Sequence, residues 1–151
     1  MFEIRLAGGF DAQALCELYT NHLTAYPPEE PQDMLLWKEK IEQFADSGYY
    51  YILVGELEDK VVSSVTLVII RNLTHNMRSY ALIENVVTHA DYRGRGFASA
   101  LMERACEIAQ VENCYKVMLM TGSKKESTLN FYEHCGFSRH EKTAFIRRLG
   151  I

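Results

Sequence analysis

The densest chemical signal in the chain is the stretch Asp91-Tyr92-Arg93-Gly94-Arg95-Gly96-Phe97-Ala98-Ser99, where two glycines alternate with two arginines. It joins an apolar, strand-like run to a helix-like periodicity. Such a loop can hold a compact anion. Glycine lets the backbone approach phosphate oxygens, the unsatisfied N–H groups of a helix's first turn donate to them, and the helix dipole adds favourable potential. Arg93 and Arg95 supply formal charge. The same residues also suit a plain helix start with a flexible turn and two solvated arginines, because short glycine patterns recur by chance.

Two known phosphate cradles do not fit. A Walker A loop needs an earlier glycine and a hydroxyl after its lysine, and Gly122-Ser123-Lys124-Lys125 has neither. The dinucleotide fingerprint fails at its last glycine, where Ser99 stands, and no acidic residue closes the next strand at Met120-Thr121. Metal chemistry is not expected. Cys16, Cys106, Cys114 and Cys135 form no C-x-x-C pair, and His22, His75, His89, His134 and His140 stand at no zinc-ligand spacing from them. The thiols read as small, mostly buried hydrophobes.

These residues must be carried by one soluble domain, residues 1–151, of which 48% is hydrophobic. The net charge of −4 divides unevenly, −7 over residues 1–75 and +3 over residues 76–151. A nucleic-acid binder would need a concentrated basic surface, so nucleic acid is set aside as a partner. The longest apolar runs, Tyr49 to Val54 and Val65 to Ile70, are far short of the roughly 18 residues of a membrane span. Met1 to Phe10 has neither a basic leader nor a long apolar stretch, which predicts a cytoplasmic protein without a membrane partner.

Periodicity then assigns the elements. A first helix is expected over about Asp11 to Leu23, with Asp11 as its cap, and a second over about Gln32 to Ala45. All three prolines lie between them, in a rigid Tyr26 to Pro31 loop. Tyr49 to Leu57 and Val61 to Ile70 read as an antiparallel hairpin turning at Glu58-Asp59. A strand over Tyr80 to Thr88 leads to a helix starting near Gly96, with Ala98, Leu101, Met102, Ala105, Ile108 and Ala109 on its core face. A strand (Tyr115 to Met120), a helix (about Lys125 to Cys135) and terminal strands near Phe137 and Ala144 to Leu149 follow. The class is mixed α/β, or α+β, rather than a regular doubly wound sheet.

Arg93-Gly94-Arg95-Gly96-Phe97-Ala98 resembles [QR]-x-x-G-x-[GA], the pyrophosphate loop of the GNAT superfamily of acetyl-CoA-dependent N-acetyltransferases. Asn130-Phe131-Tyr132-Glu133-His134-Cys135-Gly136-Phe137 is similar to that family's second signature, [FL]-Y-x-x-x-G-F. The element order agrees over nearly the whole chain. The runs Ile83-Glu84, Cys114-Tyr115-Lys116 and Phe131 to Phe137 look most like glucosamine-phosphate acetyltransferases. The resemblance implies a central mixed, mostly antiparallel sheet of about six or seven strands flanked by about four helices.

It also implies roles for residues. Acetyl-CoA would be the co-substrate, with no metal. Backbone atoms of Val86, Val87 and Thr88 would pair with its pantetheine arm, and Arg93, Gly94, Arg95, Gly96, Phe97, Ala98 and Ser99 would cradle its pyrophosphate. Tyr132 would protonate the departing thiolate, although a tyrosine on a core helix face reads alike. Glu84, in the apolar run Ile83 to Val87, needs solvent or a partner. It would serve as base, directly or through water, or else mark an exposed strand face. Lys124 and Lys125 either approach the ribose phosphate or are solvated. Where many relatives place Asn and Ala before the tyrosine, this chain has Lys125 and Thr128.

The implied function is acetyl transfer to a primary amine of a small molecule by direct transfer in a ternary complex, with an amino sugar phosphate as one candidate. A protein amine is another acceptor, and a non-catalytic acyl-CoA-binding module is the rival class. Many relatives are homodimers.

Overall fold

The computed structural model describes residues Met1 to Gly150. They form β1 (Phe2–Leu6), α1 (Ala12–His22), α2 (Met34–Ser47), β2 (Tyr50–Leu57), β3 (Lys60–Ile70), α3 (Thr74–Met77), β4 (Tyr80–Thr88), α4 (Phe97–Val111), β5 (Val117–Leu119) and α5 (Glu126–His134). Two compact units result, Met1–Leu119 and Met120–Ile151. The first contains a mixed five-stranded sheet in the order β1-β2-β3-β4-β5, antiparallel except for the parallel pair β4 and β5.

Alternation along the strands sends opposite faces to different helices. Ile52 and Val54 point towards α1 and α2, where they join Ala7, Ala12, Leu15 and Ile41 in one buried cluster. Leu53, Val65, Leu67 and Ile83 are buried on the other face, which α4 covers with Leu101, Met102, Ala105 and Ala109. The hairpin turn is set by Glu58 (φ 50°) and Asp59 (φ 64°), a pair of left-handed residues whose twist suits adjoining antiparallel strands. At the start of α2, Asp33 Oδ1 accepts from Leu35 N at 2.9 Å and Leu36 N at 3.4 Å.

The expected cap at Asp11 does not form. Its buried carboxylate is committed elsewhere, accepting from Arg5 Nη1 at 2.7 Å, Arg5 Nη2 at 2.9 Å and Gly8 N at 2.8 Å. Arg5 also donates to Glu56 Oε2 through Nε at 2.9 Å and Nη2 at 2.7 Å. Hydrogen bonding to Asp11 raises the Arg5 pKa further above its already high ordinary range, against partial burial. Asp11→Ala is therefore expected to destabilise the fold by about 2–3 kcal/mol, since it takes one of two carboxylates from the Arg5 guanidinium and leaves the part-buried Gly8 amide unpaired. At this size that lowers Tm by about 5–10 °C. A thermal melt unchanged within error would show that the ion network is dispensable.

The described residues form five strands, close to the six or seven expected. Neither Phe137 nor Ala144 to Leu149 is in a strand. Phe137 N–H is spent on Tyr132 O at 3.1 Å, and the described residues of the second unit contain no strand whose edge could pair with Ala144 to Leu149. Apolar, strand-prone residue types without a partner strand make no ladder. Phe145, Ile146 and Leu149 are exposed. Of the four cysteines, Cys16 is buried and the other three are half-buried, so the thiols are less enclosed than expected.

Candidate functional site

β4 is irregular where the sequence placed its chemistry. Thr66 of β3 lies opposite Glu84, but Ser64 lies opposite Val87, so β4 has one extra residue and bulges there. Asn85 takes up the irregularity with φ 52°. On the other side, pairing with β5 ends at Ile83 opposite Leu119. From Glu84 to Thr88 the β5-side edge of β4 thus has no strand partner in the first unit. His89 N donates to Val62 O at 2.8 Å, which fixes the alternation. Val86 and Thr88 therefore direct backbone groups to the open edge, whereas Val87 faces β3.

The loop after β4 is braced from behind. Arg93 Nε donates to Thr88 O at 3.0 Å and its Nη2 to the carbonyl of His22 at 3.4 Å, so this guanidinium secures the strand end. Arg95 lies over the Tyr92 ring at 5.3 Å and is exposed. Gly94 (φ 78°) and Gly96 (φ 82°) are left-handed, and apart from the adjoining residues no atom lies within 4 Å of where a Cβ would stand on either. Gly96 precedes α4 without a side-chain cap. The N–H groups of Phe97, Ala98 and Ser99 belong to the unsatisfied first turn. Phe97 is anchored by its ring, stacked on Phe2 at 4.2 Å, so its contribution to the loop is its backbone.

His22 connects α1 to this loop. Its Nδ1 accepts from Ala90 N at 3.3 Å, and its ring lies 4.1 Å from that of His89. Partial burial, then the charges of His89 and Arg93, lower its pKa below 6.5, while Asp91 opposes them. A depressed histidine pKa destabilises the fold as pH falls below the unfolded value. Thermal stability is expected to drop on acidification from pH 7 to 5, and to drop less in His22→Asn. An equal acid loss in the variant would assign the effect to other groups.

Glu84 is exposed at the bulge. Its charge reaches Tyr50, whose phenol pKa is raised by burial first and by Glu84 second. The Tyr50 ring is fixed by stacking on Phe44 of α2 at 3.8 Å. A separate concavity of about 470 Å³ lies beside α1 and the β2–β3 turn, with Asp11, Asn21, Lys60 and His89 in its lining. It contains none of the residues expected to bind or react.

Tyr132 belongs to the second unit. It is half-buried in α5, and burial, followed by Cys135, raises its pKa above the ordinary value, so the phenol keeps its proton at neutral pH. The helix ends in a Schellman motif: Gly136 (φ 95°) donates to Glu133 O at 2.9 Å and Phe137 to Tyr132 O at 3.1 Å. The glycine and phenylalanine of the second signature are thus a C-cap that fixes the turn carrying the tyrosine. Lys124 and Lys125 are exposed ahead of α5, which begins at Glu126.

The sequence assigns no functional role to Tyr19, which lies at helical spacing on the first helix, or to Tyr50 and Thr66. Tyr50 opens a strand and Thr66 sits inside one, so their types and positions fit ordinary strand residues.

Fold and sequence signature agree on the class. The chain belongs to the acetyltransferase (GNAT) family, whose sequence profile matches residues 12–137. Glucosamine 6-phosphate N-acetyltransferase of Trypanosoma brucei brucei is 40% identical over 83 residues, 55% of this chain and 54% of that protein. A probable glucosamine 6-phosphate N-acetyltransferase of Drosophila melanogaster is 28% identical over 100 residues, 65% of this chain and 44% of that protein. The chain spans about half the length of the curated relatives it matches. Among solved structures, a putative acetyltransferase from Agrobacterium tumefaciens shares 38% identity at a TM-score of 0.85, covering 97% of this chain and 99% of that one. Glucosamine-6-phosphate N-acetyltransferase from Arabidopsis thaliana shares the fold at a TM-score of 0.84 and 22% identity, covering 99% and 98%.

Proposed function

We propose that the chain, acting as one domain over residues 1–151, transfers acetyl from acetyl-CoA to a primary amine of a small molecule, an amino sugar phosphate. The observation that carries this reading is the open edge of β4, which runs from the Glu84 bulge and leads, through a single 3-10 turn at Ala90–Tyr92, into the glycine turn and the uncapped start of α4. An extended amide-bearing arm followed by a pyrophosphate needs those two features in that order. Val86 and Thr88 would pair with the arm. The N–H groups of Phe97, Ala98 and Ser99, with Arg95, would hold the pyrophosphate, and Gly94 and Gly96 would let it approach.

Glu84 would take the proton from the acceptor's ammonium, freeing the nitrogen lone pair to attack the thioester carbonyl. The C–N bond forms, the C–S bond breaks, and Tyr132 would protonate the departing thiolate. The curated relatives named as glucosamine 6-phosphate N-acetyltransferases support the acceptor class.

The test is an acceptor panel of glucosamine 6-phosphate, a polyamine, a simple peptide amine and an aminoglycoside, following thiol release from acetyl-CoA. Fastest turnover with the sugar phosphate is expected. Preference for the peptide would move the reading to a protein amine. Tight acetyl-CoA binding without turnover on any amine would favour a binding module.

A further inference from the structure

β3 places three polar side chains in the buried layer, Ser63, Ser64 and Thr66, none more than 1% exposed. Two have clear structural work. Ser63 Oγ donates to Val87 O at 2.9 Å and pairs with Thr88 Oγ1 at 2.8 Å, and Ser64 Oγ donates to Leu53 O at 2.8 Å. Thr66 Oγ1, by contrast, has no hydrogen-bond partner among the described residues. Buried hydroxyls are normally satisfied, because leaving one unpaired forfeits its solvation without return. A valine would fill the same space at no such cost.

Its position gives the hydroxyl a use. Thr66 is the register partner of Glu84, the last pair before the bulge. Directly opposed residues of an antiparallel pair hold their Cβ atoms about 5 Å apart on one face. The orphaned hydroxyl therefore lies at the root of the Glu84 side chain. From the α1 side, the Tyr19 hydroxyl comes close to both Thr66 and Ser64: burial raises the Tyr19 pKa, and those two hydroxyls partly offset the rise. Tyr19 and Tyr50 both pack against the same buried cluster, so the surroundings of Glu84 on this face are fixed.

We propose that Thr66 is a positioning residue for Glu84: on acceptor binding, Tyr19 O–H donates to Thr66 Oγ1 and Thr66 O–H donates to the Glu84 carboxylate, turning it from solvent towards the amine. This inference rests on the reading of Glu84 as the base. Closing the chain needs a rotation of the exposed Glu84 side chain and small adjustments of the two hydroxyls. It satisfies the buried oxygen at the moment the carboxylate must be aimed.

The test compares Thr66→Val, Thr66→Ser, Tyr19→Phe and Glu84→Gln, and the double variant Thr66→Val/Glu84→Gln, with acetyl-CoA and the fastest amine of the panel above. Thr66→Val is expected to lower kcat about tenfold, a fraction of what a general base supplies. KM for acetyl-CoA should stay unchanged and Tm should be equal to or above wild type. Thr66→Ser should restore kcat to within about threefold, and Tyr19→Phe should show a smaller loss that does not add to that of Thr66→Val. In the Glu84→Gln background, Thr66→Val should have no further effect. A wild-type kcat in folded Thr66→Val, or an equal loss in both backgrounds, overturns the positioning role while leaving the base in place. If Thr66→Val does not fold, a wild-type kcat in Tyr19→Phe overturns the role. Wild-type turnover in Glu84→Gln overturns the base reading, and this inference with it.

Discussion

Tyr132→Phe is expected to lower kcat by about 10²-fold, the smaller end of what a positioned proton donor contributes, with the Kd for acetyl-CoA unchanged. The substitution removes one oxygen and keeps the ring that α5 half-buries. The C-cap beneath it is made of backbone bonds and should survive. Because burial and Cys135 hold the phenol pKa above its usual value, the wild-type donor stays protonated well past neutral pH. Any basic limb it imposes on kcat must lie above the ordinary tyrosine range and should vanish in the variant. Single-turnover kinetics would separate this loss from slow product release. Unaltered turnover would mean that solvent protonates the thiolate.

Gly96→Val should weaken acetyl-CoA binding by on the order of 10²-fold, from strain and lost donor alignment together. At φ 82° a β-branched side chain is strained by about 1–2 kcal/mol, although nothing in the protein occupies the space its Cβ would enter. Relief of that strain moves the first N–H groups of α4 away from a common point. The stack of Phe97 on Phe2 should keep the helix itself in place, so the melt should change far less than the titration. Calorimetric titration with acetyl-CoA, or with free CoA, is the direct measurement. Wild-type affinity in a folded Gly96→Val would remove the loop from the binding site.

The strand Tyr80–Thr88 was legible to the residue because β-branched residues bounded by polar loops leave little choice. The loop into α4 was legible because glycine at a helix start has few uses. Asp11 misled, since a helix cap and an ion-pair partner look identical until Arg5, six residues away, is turned onto it while also holding Glu56, 51 residues from Arg5. Ala144 to Leu149 misled for a related reason: apolar, strand-prone residue types record a tendency to pair, and pairing is decided by what edge lies alongside. The bulge at Asn85 left only a faint trace, an Asn amid β-branched residues. Thr66 left none, because an unpaired hydroxyl is a property of surroundings, not of residue type.

The unpaired edge of β4 carries a second obligation. A row of N–H and C=O groups without a strand partner, of which Arg93 holds the Thr88 carbonyl, is a template on which another chain can add a strand. Here the row begins with a charged residue and a left-handed kink, Glu84 and Asn85, the features by which sheet edges discourage accretion. The carboxylate proposed to serve turnover would then also guard solubility whenever the cleft is empty. Replacing it with an apolar residue would trade a slow enzyme for a sticky one, and saturating ligand would hide the defect by occupying the edge.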